Sequence, residues 1–214
     1  MGGEMAVQHG WGWDASGWEA WRHQAPSGWR IEAAERGYFG ADPVALAPAP
    51  VVVCHSFGLH LAPPEVLAGA ALLVVIGGFG HFHGSERTRA ALRRMRRRLD
   101  REPENLVHDF RVACHAPHPL PVRARGAVTR WRLELLGADL GRLDRDEGPE
   151  ASPGGRVLFL HGADDAIVAP ERAEALQAGW PDSTLVRHPA GGHALHVDAA
   201  DWCWARVSEA WDAL

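Results

Sequence analysis

The sequence predicts an α/β fold built on a mostly parallel sheet. Residues 51–54, 71–76 and 157–160 are short, continuous apolar runs. Continuous rather than alternating runs suit strands buried on both faces, as in a parallel sheet covered by helices. Helical patterns lie between and after them, at 84–101, 171–177 and 201–214. Strands alternating with helices give an α/β architecture. At 214 residues and 46% hydrophobic, the chain has the length of one domain and ample material for its core.

In chain order, Met5-Ala6-Val7-Gln8 reads as a strand and runs into the glycine-punctuated turn His9-Gly10-Trp11-Gly12. Residues 16–24, with Trp18 and Trp21, suit a short helix, and residues 28–34 a second strand. Three prolines within 41–50 argue against a long helix there. The strand at 51–54 leads into His55-Ser56-Phe57-Gly58, and Pro63-Pro64 cuts short the helix that follows. Pro170 opens the helix over 171–177, and residues 184–186 make the last strand. In the final helix, Cys203, Val207, Ala210, Trp211 and Leu214 share one face.

Residues 84–101 differ from the rest. Ala91, Leu92, Met95 and Leu99 form a narrow apolar stripe, and eight of the fifteen residues from 87 to 101 are arginine. This pattern predicts an amphipathic helix with a strongly positive outer face. It falls in a connection too long for one crossover, where a cap would sit. The expected division is therefore a core of 1–79 and 126–214 with a helical cap at 80–125. Residues 144–155 read as a polar loop.

The chain has no lysine, so all 22 basic residues are arginine, and the net charge is −5. Residues 81–132 hold 13 Arg against 5 Asp and Glu, while the remainder holds 9 Arg against 22 acids. A basic segment on an acidic body suggests an acidic partner or substrate. Without aromatic residues interleaved on the basic surface, nucleic acid is not the expected partner. No 18-residue apolar run is present, so no membrane span is expected. The start Met1-Gly2-Gly3-Glu4 lacks the form of a signal peptide, which makes the cytoplasm the expected location. Cys54, Cys114 and Cys203 form neither a disulfide framework nor a zinc pattern. His81, His83, Cys114, His115 and His118 lack metal-site spacing, so no metal or cofactor is expected.

Acyl transfer by serine needs an exposed hydroxyl, a base, a group that orients the base, and donors for the oxyanion. Ser56 sits at the tip of a strand-to-helix turn that matches G-x-S-x-G except that Cys54 replaces the first glycine. His193, after two glycines, is the candidate base, with His188 and His196 as competitors. Asp165 is the candidate orienting acid, with Asp164 beside it. The backbone N–H groups of Phe57 and Trp11 are the candidate oxyanion donors. The order Ser, Asp, His, each after a candidate strand, is the α/β-hydrolase order.

HGWG at 9–12, HSFG at 55–58, HGADDAIV at 161–168 and GGHA at 191–194 resemble the signatures of the α/β-hydrolase superfamily, across almost the whole chain. The superfamily's G-x-x-D pattern selects Asp165 over Asp164. The resemblance implies a reduced form of that fold, with about six strands, helices on both faces and a small cap. The HGWG turn, the HSFG elbow and Ile76-Gly77-Gly78-Phe79-Gly80-His81-Phe82 look closest to compact, cyanobacterial-type methyl esterases of biotin synthesis. That resemblance implies a serine carboxylesterase, acting as a monomer, that hydrolyses the methyl ester of pimeloyl-acyl carrier protein. Phe79 and Phe82 would then line the acyl pocket, and Arg87, Arg94, Arg97, Arg98 and Arg101 would dock the acidic carrier, with Arg123 and Arg125 as further candidates. Two alternatives remain: a general small-acyl carboxylesterase or thioesterase, and a non-catalytic carrier or ligand binder.

Overall fold

The computed structural model describes residues 2–121, 128–145, 148–149, 153–180 and 182–214. Its first half runs β1 (Glu4–Gln8), a 3₁₀ turn (Ala15–Trp18), α1 (Glu19–Gln24), β2 (Arg30–Ala33), β3 (Val51–His55), α2 (Gly58–Leu61), α3 (Pro64–Gly69) and β4 (Leu72–Ile76). Three helices follow: α4 (Glu86–Leu99), α5 (Pro103–His115) and α6 (Leu133–Arg145). The chain ends with β5 (Arg156–Gly162), α7 (Pro170–Ala178), β6 (Ser183–His188), α8 (Leu195–Asp198) and α9 (Ala200–Asp212).

The strands form one open sheet in the order β2-β1-β3-β4-β5-β6, and every neighbouring pair is parallel. β3 and β4 are buried along their whole length, as their unbroken apolar runs require. Side chains of a strand alternate between faces. Val51, Val53, Leu72, Val74 and Ile76 meet Trp18, Trp21, Trp204 and Val207 on one face. Val52, Cys54, Leu73 and Val75 meet Leu59, Val66, Leu67 and Leu176 on the other. Cys54 thus occupies a tight apolar position, and burial pushes its thiol pKa up. In α9, Cys203 and Val207 are buried and Ala210 and Trp211 pack against the core. Leu214 departs from the shared face the sequence suggested: it lies past the end of α9 and is exposed.

A third apolar cluster joins the elbow and the inserted helices. Trp11, Phe57 and Phe79 pack with Leu92 and Leu99 of α4, Leu106 and Val107 of α5, and Leu136, Leu140 and Leu143 of α6. α6 lies beyond the 80–125 segment and packs directly on α4. Among the described residues no helix is long and apolar enough to cross a membrane.

The strand order fixes where chemistry can occur. From β1 the chain goes to one side for β2 and to the other for β3, so the switch point lies between β1 and β3. Ligands of open α/β sheets bind beyond the carboxyl ends of the strands at such a point. His9-Gly10-Trp11-Gly12 leaves β1 there, and Ser56 leaves β3 there.

Candidate active site

Ser56 has φ 54°, the only positive φ at a non-glycine residue among the described ones. The left-handed region costs an L-residue roughly 1–2 kcal/mol, so the fold holds this serine in place against its own preference. Its N–H donates to the Ile76 carbonyl at 2.8 Å, which ties the strained turn to β4.

The Ser56 hydroxyl donates to His193 Nε2 at 2.9 Å. His193 Nδ1–H donates to Asp165 Oδ2 at 2.7 Å. Asp165 Oδ1 accepts the N–H groups of Ile167 at 2.9 Å and Val168 at 2.8 Å, so the carboxylate is held on both oxygens. Burial works to raise the Asp165 pKa. The His193 charge and hydrogen bond, with His161 and the Val168 N–H, outweigh it and hold the carboxyl below its ordinary range. Asp165 therefore stays ionised and selects the tautomer in which Nε2 faces Ser56 as a base.

The competing residues lie elsewhere. The Asp164 side chain is exposed. His188 packs on Trp202 and accepts the Ala190 N–H at Nδ1, 3.3 Å away. His196 is sealed between Trp13, Trp18 and His55, with ring centres 5.0, 4.8 and 4.0 Å away.

The turn after β1 abuts the elbow. A Cβ on Gly10 would lie 3.0 Å from both Ser56 Cβ and the His55 carbonyl, and 3.3 Å from the Phe57 nitrogen. Trp11, Phe57 and Ser56 share the wall of one cavity of about 550 Å³. Phe79, Phe82, Leu92, Met95, Phe110 and Leu140 continue that wall, which is predominantly apolar. A separate hollow of about 350 Å³ borders α5, and the described residues that line it include no serine or cysteine.

Arg87 lines the same cavity from α4, one turn before Ala91 and Leu92. Arg94, Arg97 and Arg101 are exposed and, like Arg87, make no ion pair among the described residues. Arg98 donates to Glu102 and Asp109, each at 2.8 Å, so its charge is matched within the chain. Arg123 and Arg125 lie outside the described residues. Among the described residues no group of three His, Cys, Asp or Glu is placed to hold a metal ion.

Two contributors escape sequence reasoning. Gly77 has φ 58°, and a Cβ there would lie 3.1 Å from His193 Nδ1. His55 Nε2–H donates to the His193 carbonyl at 3.1 Å, which anchors the loop that carries the base. The glycine pair after the strand at 71–76 hints at the first. No local pattern points to the second.

No protein-family model matches the sequence, and no curated protein matches it. Solved structures do. An esterase from Exiguobacterium antarcticum superposes with a TM-score of 0.80 at 16% identity, covering 97% of this chain and 91% of that one. The chain has the α/β-hydrolase fold. A thermophilic esterase from Thermogutta terrifontis gives 0.72 at 18% identity, over 98% and 89%. A bromoperoxidase from Bacillus anthracis gives 0.68 at 14% identity, over 97% and 91%. Proteins that share the α/β-hydrolase fold thus carry differently named activities, and function follows from the site rather than from the fold.

Proposed function

We propose that the chain is a serine carboxylesterase. The observation that carries this reading is the hydrogen-bonded series Ser56, His193, Asp165 at the wall of a mainly apolar cavity, with Ser56 in a strained elbow. The esterase neighbours on the same fold support it. His193 Nε2 takes the Ser56 proton as Oγ bonds to the ester carbonyl carbon. The Phe57 and Trp11 N–H groups receive the oxyanion. Collapse breaks the bond to the alkoxy group, which leaves as alcohol with the proton from His193. Water then attacks the acyl-serine by the same proton path and releases the acid.

The finer reading is the methyl ester of pimeloyl-acyl carrier protein. The sequence motifs support it, as does the meeting of an apolar cavity with Arg87 at its wall and a helix whose Arg94 and Arg97, with Arg101 just past its end, face solvent. An acidic carrier would be steered to such a face, with a rate that falls as salt rises. The plain esterase names of the neighbours favour a second reading, a carboxylesterase for free small esters.

The test compares carrier-bound and free methyl pimelate at low and high salt, with Ser56→Ala in parallel. We expect faster, salt-sensitive hydrolysis of the carrier-bound ester and none by Ser56→Ala. Equal rates on both substrates would sink the carrier reading. Absence of both ester hydrolysis and fluorophosphonate labelling at Ser56 would sink the esterase reading.

A further inference from the structure

The turn that brings Gly10 and Trp11 against the elbow is held at its far end by one buried cation. Arg111 of α5 is 7% exposed. Its Nε–H donates to the Gly12 carbonyl at 2.9 Å, and Nη2 donates to Asp14 Oδ2 at 3.1 Å. Its guanidinium carbon lies 5.3 Å from the Trp13 ring centre and 5.1 Å from that of Phe39. Asp14 also accepts the Ser16 N–H at 2.9 Å and so caps the 3₁₀ turn. One side chain therefore grips Gly12, Trp13 and Asp14 together.

The near end of the turn is fixed as well. The Gly10 carbonyl accepts from His9 Nδ1–H at 2.9 Å and from the Trp13 N–H at 3.4 Å. His9 has this tautomer because its Nε2 accepts the Arg36 N–H at 3.0 Å. In a planar trans peptide the N–H points opposite to the C=O. The direction of the Gly10 carbonyl thus sets the direction of the Trp11 N–H. Trp13 links the two ends: its N–H closes on Gly10, and its ring carries the Arg111 guanidinium.

We infer that Arg111 is a positioning residue for the oxyanion-binding turn, and this rests on the esterase reading above. Arg111 is absent from the wall of the Ser56 cavity and acts through Gly12, Trp13 and Asp14. A guanidinium suits this work, because its planar fork of donors can bond two acceptors while its face stacks on aromatic rings. An ammonium has no planar fork whose edge donates while its face stacks. A merely structural arginine would hold the inserted helices to the core and affect all ligands alike.

The experiment uses the full chain with Arg111→Lys and, as a milder second variant, Asp14→Asn. Two inhibitors of equal chain length separate the roles. An alkylboronic acid forms a tetrahedral adduct on serine and needs the oxyanion donors. The matching amide binds as a ground-state mimic. We expect kcat on a p-nitrophenyl ester and boronic-acid affinity to fall together, roughly 10- to 100-fold, short of deleting a donor outright. KM and amide affinity should stay within about twofold. Backbone amides of 10–14 should exchange hydrogen faster in both variants. Unchanged boronic-acid affinity, equal losses for both inhibitors, or unchanged exchange at 10–14 would each overturn the inference. A wild type that hydrolyses no ester sinks the esterase reading instead, and the exchange data still decide whether Arg111 orders the turn.

Discussion

His193 can act as a base on Ser56 only in one tautomer, and Asp165 selects it by accepting Nδ1–H. Asp165→Asn keeps the size of the group but removes its charge, and its amide can face the ring with the wrong atom. We expect kcat to fall on the order of 10³- to 10⁴-fold with KM little changed, read by steady-state kinetics on a p-nitrophenyl ester. A loss under about tenfold would mean that His193 is not the base. At this scale the sequence shows the three side chains that the structure joins, because each follows a strand: Ser56 and Asp165 follow the buried β3 and β5, and His193 follows the partly exposed edge strand β6. It separates His193 from His196 poorly, since both sit near one glycine pair. Only packing reveals that His196 is walled off by Trp13, Trp18 and His55. Arg111 is illegible for a different reason: its partners Gly12 and Asp14 lie nearly a hundred residues away, and no local periodicity encodes such a contact.

Among the elements, α4 is the most legible. Its stripe buries Leu92 and Leu99 while the arginines face out, and Ser85 and Thr88 close a capping box at its start. The helices beside it are harder to read. α6 contains Gly137 and Gly141, each about 1 kcal/mol less favourable in a helix than alanine. Tertiary packing overrides that propensity, because α6 buries Leu136, Leu140 and Leu143 in the cluster it shares with Leu92 and Leu99 of α4. Leu92 is 1% exposed and faces the Ser56 cavity, so it belongs to both the packing of α4 and the shape of the site. Leu92→Ala should lower stability by about 2–4 kcal/mol. It should also move the kcat/KM optimum toward longer chains across a series of p-nitrophenyl esters. An unchanged optimum would show that α4 does not bound the acyl chain.

For the molecule as a whole, the sheet was readable because a parallel sheet covered on both faces leaves a plain trace in sequence, the unbroken apolar runs of β3, β4 and β5. What that trace omits is the load of buried imidazoles at the sheet's carboxyl end. His55, His161 and His196 are each at most 1% exposed on their side chains or whole residue. Burial pushes the pKa of His55 and His196 well below the ordinary histidine value and that of His161 below it. For His196 the nearby His115, His193 and His9 add to the effect, and for His55 so do His196, His193 and His9. Asp165 and the Val168 carbonyl partly oppose the shift of His161. The sign follows from proton counts. Below the unfolded-state pKa of about 6.5 the unfolded chain binds protons that the native state refuses, so stability falls as pH falls. Each group contributes up to about 1.4 kcal/mol per pH unit, and His55 and His196 do so further below pH 6.5 than His161. Urea midpoints should therefore be flat from pH 7.5 to about 7 and drop steeply toward pH 5. Among the described residues neither ring nitrogen of His196 has a hydrogen-bond partner, so His196→Phe removes one titrating group without stranding another. That variant should shed up to about 1.4 kcal/mol per pH unit of the acid slope. A slope equal to wild type would show that His196 takes up its proton inside the folded protein.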